Sequence, residues 1–436
     1  MNPQSFPALA AFPALAHVAA LCIALAGGIA PTGASAAHAQ SDAVPLSLAE
    51  VERLAVRNQP LLEAFERRAD AAREAAVAER QLPDPRLRAG LINLPVTTGD
   101  AFQIARDDQT MAAVGITQDV VRIDKREAAG RRFEAEADAA LAERDADVRR
   151  IRRDAALAWV DAQAAAQRRE LFDRMQDELV AERDVTRARL AAGGADARDV
   201  FAIDVALAGV EDDRERLRRD ERRARALLAR WIGAAAAERP LAAASADTVV
   251  ATRDLAERVQ RGETVTAHPY LEEARAIETV ARRDVARAQL DTQRDWSWEV
   301  MYGKRFAGRS DMLTVQVSVP LLWDAPNRQD RRTAEKLALA ERAGLLAQDR
   351  ARQLAADAQA AVVDWEGAVA REAVHTRLLL PAAAARLETT LAAYRAGKIA
   401  YSAVAEARRA VIDARAQHVA IAAEVDKASV ALRYFE

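Results

Sequence analysis

An internal repeat constrains the fold of this chain more than any other feature. The segment PLLEAFERRADAAREA aligns without gaps on PYLEEARAIETVARRD, which lies much later in the chain. The pairs aligned by the repeat include Pro60 with Pro269, Trp159 with Trp365, Gly193 with Gly397 and Val200 with Val404. Two copies of one unit of about 200 residues are the simplest account of this match. We therefore predict a first repeat over residues 40–240, a linker over 241–262 and a second repeat over 263–436.

Each copy is predicted to hold the same elements: a helix, two strands and two long helices. Pro60 and Pro269 suit the first turn of a helix, where a missing N–H costs nothing. Alternating side chains predict strands near RLRAGLINL and MAAVGITQDV in the first copy, and near DWSWEVMYG and MLTVQVSVPL in the second. Neither Gly nor Pro occurs between Arg131 and Ala192. That stretch therefore allows one helix of about 60 residues and about 90 Å.

The long helices carry apolar residues at intervals of seven, which predicts that they pack side by side as coiled coils. The two seams are Ile203, Val210, Leu217, Ala224 and Trp231 in the first copy, and Val404, Val411, His418, Val425 and Leu432 in the second. Pro381 is predicted to break or kink its helix near the middle. The first copy has no proline there, so we expect the copies to differ at that level.

The N-terminus resembles a secretory signal peptide over residues 1–39. The apolar run AHVAALCIALAGGIA precedes small residues, and Ala37 and Ala39 fit the small-x-small rule for cleavage after Ala39. A disordered or membrane-anchored N-terminus is the alternative. Cys22, the single cysteine, lies in this run, so the sequence excludes an intramolecular disulfide. The net charge of −3 offers no strong basic field for a nucleic-acid partner.

The third strand has two unlike faces. Trp296, Trp298, Val300 and Tyr302 alternate with Ser297, Glu299, Met301 and Gly303, and Val315 and Val317 repeat the pattern in the fourth strand. Taken alone, the pattern fits the buried face of a soluble sheet. Four strands cannot close a transmembrane barrel, however, and an open sheet would leave its edges and its apolar face exposed.

A barrel shared between identical chains removes both problems. Two chains would give eight strands, three would give twelve and four would give sixteen. The residues themselves do not determine the number of chains. In each case the apolar face would meet lipid, with Trp296, Trp298, Val300, Tyr302, Val315 and Val317 as the lipid-facing residues. The aromatic side chains would then lie toward an interface belt.

With these features the chain resembles the TolC family of bacterial outer-membrane efflux channels, and within it the CzcC-type branch associated with heavy-metal resistance. The stretches that carry the resemblance are LSLAEVERLAVRNQPLLEAFERRADAAREA, HPYLEEARAIETVARRDVARAQ, VQVSVPLLWDAPNRQDRRTAE and LLLPAAAARLETTLAAYRAGKIAYSAVAEARRAVIDAR. The resemblance implies a mainly α fold, with a long coiled-coil helical barrel and four strands per chain contributed to a trimeric 12-stranded transmembrane β-barrel. It also implies a homotrimer in the outer membrane that extends into the periplasm, a periplasmic adaptor and an inner-membrane pump of the resistance-nodulation-division class.

In this family the tips of the helical hairpins narrow the channel, often with acidic side chains after the glycine turn. Counted from the glycines, Asp199 and Glu406 occupy two acidic positions of the family pattern, and alanines at 202 and 403 occupy the other two. Asp196 and Asp204 are candidates to substitute for the missing carboxylates, so the candidate gate residues are Asp196, Asp199, Asp204 and Glu406. Ordinary solvated turn charges are the alternative. The candidate adaptor-docking residues at the tips are Leu190, Ala191, Gly193, Tyr394, Arg395 and Gly397.

Nothing in the sequence predicts catalysis. We find no nucleophile motif, phosphate loop or spaced metal ligands, and His268, His375 and His418 lie far apart. Met111 and Met301 are expected to pack rather than to bind a soft cation. The absence of these motifs agrees with the passive export duct that the resemblance implies, with no enzymatic activity, no cofactor and no metal site. The resemblance to the metal branch makes heavy-metal cations the expected cargo; drug efflux, type I protein secretion and a soluble periplasmic coiled-coil scaffold are the alternatives.

Overall fold

The computed structural model describes residues 44–57, 59–243, 247–263 and 265–436. Residues Val44–Glu436 form one compact unit. The predicted signal peptide, with Cys22, lies outside the described residues. Among the helices described here, none has the length and apolar content needed to cross a lipid bilayer.

The first half of the chain contains a short helix, a longer helix, two strands and two very long helices. In chain order these elements are α1 (Leu48–Arg57), α2 (Pro60–Glu79), β1 (Arg86–Ile92), β2 (Met111–Val120), α3 (Ile123–Ala191) and α4 (Ala197–Ile232). Helix α3 has 69 residues, because no glycine or proline interrupts it after its first turns. The first half therefore contains the predicted elements, preceded by one additional helix.

The second half repeats this order after two connecting helices. Its elements are α5 (Ala234–Ala237), α6 (Asp247–Gln260), α7 (Pro269–Leu290), β3 (Trp296–Arg305), β4 (Met312–Ser318), α8 (Gln329–Val374), α9 (Leu380–Arg395) and α10 (Tyr401–Arg433). Short 3-10 turns cover Val265–Ala267 and Ala325–Asn327. Much of the segment predicted as a linker, residues 241–262, is thus helix α6.

Pro381 changes the local helix type without ending the helix. The turn before it, His375–Leu379, is a π-helix that joins α8 to α9. Proline has no N–H to donate and its ring crowds the preceding turn, so the wider turn accommodates both defects. The corresponding level of α3 is continuous α-helix, as predicted from the absence of proline in the first copy.

The four strands form one antiparallel sheet in the order β1-β2-β3-β4. The register places Leu87 opposite Ile116, Ile116 opposite Val300, and Val300 opposite Val315. Directly paired residues share one face of a sheet. The apolar residues of the predicted alternation therefore lie on the same face in all four strands.

The helical part has its core along the long hairpins. Helix α3 packs against α4, and α10 packs against both α3 and α8. Buried seam residues include Ile203, Val210 and Leu217 on α4, together with Val404 and Val411 on α10. The predicted intervals of seven thus mark real packing seams.

Both long hairpins turn with the same backbone geometry. Gly193 has φ of +75° and Gly397 has φ of +70°, in the left-handed region that glycine adopts without a Cβ clash. The N–H of Gly194 donates to the Arg189 carbonyl at 2.8 Å, and the N–H of Lys398 donates to the Ala393 carbonyl at 3.0 Å. These equivalent bonds close a Schellman-type end on α3 and on α9. The two glycines aligned by the repeat therefore occupy equivalent positions in the two turns.

Candidate functional site

An exposed apolar surface covers one face of the sheet. We call it the apolar sheet face and define it by Leu87, Ala89, Leu91, Ala112, Val114, Ile116, Trp296, Trp298, Val300, Tyr302, Leu313, Val315 and Val317. Leu87 is 72% exposed, Val315 is 67% exposed and Trp296 is 43% exposed. Trp298 is half-buried. The six predicted lipid-facing residues all belong to this face, and β2 contributes Val114 and Ile116 to it.

The opposite face of the sheet is polar. The guanidinium nitrogen of Arg86 lies 2.8 Å from a carboxylate oxygen of Asp119, and that of Arg88 lies 3.6 Å from a carboxylate oxygen of Glu299. Met111 is buried on this face, where a Cβ at Gly303 would collide with its sulfur. Met111 therefore packs against the neighbouring strand, as expected from the sequence.

The edges of the sheet are open in the single chain. Strands β1 and β4 each pair with one neighbour among the described strands. Their outer N–H and C=O groups are available for a further strand. Unpaired edges beside an exposed apolar face are typical of a sheet that is completed by another chain.

At the tip of the first hairpin, the candidate gate carboxylates Asp196 and Asp204 have basic partners. Asp196 caps α4 by accepting the N–H of Arg198 at 2.8 Å, and its other oxygen lies 2.9 Å from the Arg198 guanidinium. The hydrogen bond from that guanidinium lowers the pKa of Asp196. Asp204 lies 3.3 Å from Arg187 on α3. Both carboxylates are thus balanced locally by arginine.

The other two candidate gate residues connect to the second hairpin. Glu406 on α10 lies 2.9 Å from Arg386 on α9. The hydroxyl of Tyr394 donates to Oδ2 of Asp199 at 3.0 Å. Burial, and next this hydrogen bond, raise the pKa of Tyr394. Asp199 is the one predicted gate carboxylate that links the tip of one hairpin to the tip of the other.

The candidate docking residues lie at the end of the hairpins. Ala191, Gly193, Arg395 and Gly397 are exposed, and Leu190 is 36% exposed. Tyr394 is half-buried, because its ring lies edge-on to Tyr401 with 5.6 Å between centroids. Five of the six residues are therefore free surface in the single chain, while Tyr394 also holds the tips together.

A buried polar cluster beside the tips was not predicted from the sequence. Glu182 on α3 pairs with Arg408 on α10 at 2.7 Å, and their side chains are only 19% and 14% exposed. Tyr401 beside them is completely buried. Burial, and then the Glu182 charge, raise the pKa of its hydroxyl. The polar residues on the α10 seam, Tyr401 and Arg408, were the available signal.

The histidines have structural surroundings. His268 is 1% exposed and caps α7, since its Nδ1 accepts the Tyr270 N–H at 3.2 Å. Nε2 therefore carries the proton that is donated to the Tyr434 carbonyl at 2.8 Å. Burial lowers the pKa of His268. His418 is half-buried on its seam. Over the described part of the chain, no three His, Cys, Asp or Glu side chains come together as a metal-binding group.

Comparison with known proteins relates the fold to membrane channels. No protein-family model and no curated protein matches the sequence. Among solved structures, a membrane protein from Pseudomonas aeruginosa aligns over 89% of both chains with a TM-score of 0.71 and 16% identity. CusC, described in terms of transmembrane channel formation, aligns over 90% of this chain and 92% of its own with a TM-score of 0.69 and 12% identity. The outer membrane protein VceC from Vibrio cholerae aligns over 89% of this chain and 95% of its own, with a TM-score of 0.67 and 17% identity. The expected fold is thus confirmed: the chain has the fold of these bacterial membrane proteins over nearly its whole described length.

Proposed function

We propose that the chain is the outer-membrane channel component of a tripartite efflux system and that it acts as a passive export duct. The observation that carries this proposal is the apolar sheet face together with its two open edges. A contiguous exposed apolar surface on a single chain marks a site that meets another protein or a membrane. A soluble scaffold would leave this surface in water.

A homotrimer accounts for both sheet features. Three copies would pool twelve strands, pair every edge and turn every apolar face outward. The strands have 7 to 10 residues. That length is close to the nine to eleven residues that a tilted strand needs to cross a bilayer. The polar face, with Arg86, Asp119 and Glu299, would line the water-filled interior.

The long hairpins support the periplasmic part of the proposal. Helix α3 has 69 residues and is therefore about 100 Å long. It starts beside the sheet and ends at the tip, so in the proposed channel the tips would lie far from the membrane. They would meet a periplasmic adaptor and an inner-membrane pump of the resistance-nodulation-division class. The four candidate gate carboxylates would surround the channel axis at that level.

For the cargo we propose heavy-metal cations. The support is the resemblance of the strand regions, NLPVTTGDAFQIARDDQTMAAVGITQDV and DWSWEVMYGKRF, to the metal branch. In a passive duct the pump selects the cargo, so no resident metal site is needed. Drugs and secreted polypeptides are the alternatives. A deletion strain that loses tolerance to copper, zinc, cobalt or cadmium supports metals, whereas one that becomes sensitive only to drugs contradicts them.

Two matched arginine substitutions test the membrane role. Val315 points out from the apolar sheet face, and Gln316 follows it on the polar face. An arginine on the lipid side of a barrel costs about 2–4 kcal/mol at the bilayer midplane. Val315→Arg should abolish recovery from the outer-membrane fraction, and Gln316→Arg should leave it intact. Equal membrane assembly of both variants, or a wild-type chain that is a detergent-free soluble monomer, would refute the proposal.

A further inference from the structure

The contact between the two hairpins of one chain contains a largely buried ion pair beside Tyr401. Arg408 of α10 lies 2.7 Å from Glu182 of α3, and each side chain is less than one-fifth exposed. Ile412, one turn further along α10, is buried in a cluster with Met175 and Leu179 of α3. At this level helix α10 thus packs against α3 through the Arg408–Glu182 pair followed by apolar contacts.

The internal repeat gives every residue of this contact an equivalent. The C-terminal part of α3 corresponds to α9, and α10 corresponds to α4. With Gly193 aligned on Gly397, Arg408 corresponds to Asp204, and Glu182 corresponds to Arg386. Both helices run without interruption between these residues and the aligned turn. The two charges therefore occupy equivalent positions with their signs exchanged.

The equivalent surfaces are uncovered in the single chain. Phe201 and Val205 flank Asp204 on α4 and are 67% and 73% exposed. Their counterparts on α10 are Ala405, which is half-buried, and Arg409, whose guanidinium lies 2.8 Å from Asp213 of the first hairpin. On α9, the Arg386 side chain is 58% exposed, whereas that of its counterpart Glu182 is 19% exposed. The second contact surface is thus present on each chain, but one chain cannot form it by itself.

We propose that α4 of one copy packs against α9 of the next copy as α10 packs against α3 within a chain, and that Asp204 of one copy pairs with Arg386 of the partner subunit. The occupant is a second copy of this chain, because the charges are complementary and a ring of hairpins needs the same contact at every step. The inference rests on the proposed homotrimer. It places an ion pair between subunits near the tips and removes Asp204 from the free acidic gate.

Contacts within the chain fit this arrangement. Asp204 lies 3.3 Å from Arg187, and Arg386 lies 2.9 Å from Glu406. In the assembly these four side chains form a row of alternating charge across the boundary between two copies. Arg187 and Glu406 then form its outer members.

Cysteine crosslinking tests the contact directly. The only native cysteine is Cys22, within the predicted signal peptide. The double variant Asp204→Cys, Arg386→Cys should form covalent dimers and trimers under mild oxidation in detergent. Two single variants expressed together should give a covalent dimer, while either single variant alone should give none. The control pair Asp212→Cys, Arg386→Cys places one thiol two turns away and should remain monomeric on a denaturing gel.

Charge reversal gives a second readout. Asp204→Arg and Arg386→Asp should each lower the temperature at which the purified trimer dissociates. The double reversal should regain at least half of the combined loss. Asp204→Arg places a positive charge beside Arg187, and Arg386→Asp places a negative charge beside Glu406. If only these pairs within the chain mattered, the loss in the double variant would equal the sum of the two single losses.

The outcomes separate this inference from the proposed function. A trimeric wild type with neither crosslinking nor rescue overturns the Asp204–Arg386 contact and leaves the channel proposal standing. A wild type that is monomeric in detergent overturns both.

Discussion

Two tryptophans related by the repeat have different hydrogen bonding. The Nε1–H of Trp159 donates to the Leu46 carbonyl at 3.0 Å, where Leu46 bridges Leu241. Trp365 is equally buried, but its Nε1–H has no partner among the described residues. At the residue scale, the tryptophan of the first repeat therefore binds the N-terminal segment through a hydrogen bond, whereas the tryptophan of the second repeat contributes packing alone.

This difference predicts unequal effects of one substitution. Trp159→Phe removes a buried hydrogen bond and leaves the Leu46 carbonyl with the Ala242 N–H as its remaining donor, whereas Trp365→Phe removes no hydrogen bond. The loss of apolar area is the same for both. We expect Trp159→Phe to lower the free energy of unfolding by about 1–2 kcal/mol more than Trp365→Phe. Urea unfolding of both variants measures the difference, and equal losses would contradict it.

Asp426 on α10 makes stability depend on pH. It lines a cavity of about 280 Å³ together with Arg433 and Trp159. Burial, and then the nearby Glu372 charge, raise its pKa to about 6, while Arg433 acts in the opposite direction. The unfolded carboxyl has a pKa near 3.9. Between these values the folded state holds a proton that the unfolded state has released. The free energy of unfolding therefore falls as pH rises through this window.

Asp426→Asn should remove this dependence, since an amide cannot ionise. We expect the variant to be more stable than the wild type by roughly 1–3 kcal/mol at about pH 7.5, and equally stable at about pH 4. Thermal unfolding in detergent at the two pH values measures this. Asp212→Asn on the exposed side of α4 serves as the control. A constant difference between wild type and Asp426→Asn at both pH values would rule out the titration of this group.

At this scale the sequence names candidate residues but does not give their partners. The positions of Asp196, Asp199, Asp204 and Glu406 followed from the glycine turns. The Tyr394 bond to Asp199 joins residues almost 200 positions apart, and His268 meets Tyr434 across a similar separation. Such contacts depend on how the hairpins pack, which local spacing does not encode. For the same reason the buried pair of Glu182 and Arg408 was missed.

At the scale of elements, glycines at turns and within helices should respond oppositely to alanine. Gly397 ends α9 with φ of +70°, while Gly367 lies inside α8, and a Cβ added to either would meet nothing within 4 Å. Only backbone conformation distinguishes the two sites. Gly397→Ala should lower the free energy of unfolding by about 1 kcal/mol, and Gly367→Ala should raise it by about 0.5–1 kcal/mol. Chemical unfolding measures both signs, and a stabilising Gly397→Ala would contradict the argument.

Element boundaries were predictable where one physical signal dominates. Alternation located β1 to β4, and the absence of Gly and Pro predicted α3 from Arg131 onward but not its first turns, which contain Gly130. The response of the chain to Pro381 was only partly predictable. A proline requires that a hydrogen bond be lost, but whether the helix breaks, bends or widens depends on the packing around it. Here α10 packs along both α8 and α9, so the helix stays continuous through a π-turn.

At the scale of the whole molecule, the repeat gives two similar hairpins whose tips meet through unlike residues. Tyr394 of the second tip reaches Asp199 of the first, while Leu190, the counterpart of Tyr394, has no hydroxyl to donate. The contact is therefore made once per chain. In the proposed trimer it would occur three times around the axis, where it holds the tips together.

Removing that hydroxyl should loosen the tips. Tyr394→Phe keeps the ring against Tyr401 and deletes only the bond to Asp199. A hydrogen bond of about 1 kcal/mol shifts an open-closed equilibrium about fivefold for each copy. We expect single-channel recordings in planar bilayers to show a higher open probability for Tyr394→Phe than for the wild type. Asp199→Asn, which keeps a weaker acceptor, should give a smaller increase. Tyr270→Phe, in the first turn of α7 and packed against the cluster that contains Leu354 and Phe435, should behave as the wild type. An unchanged Tyr394→Phe would show that this bond does not restrain the tips.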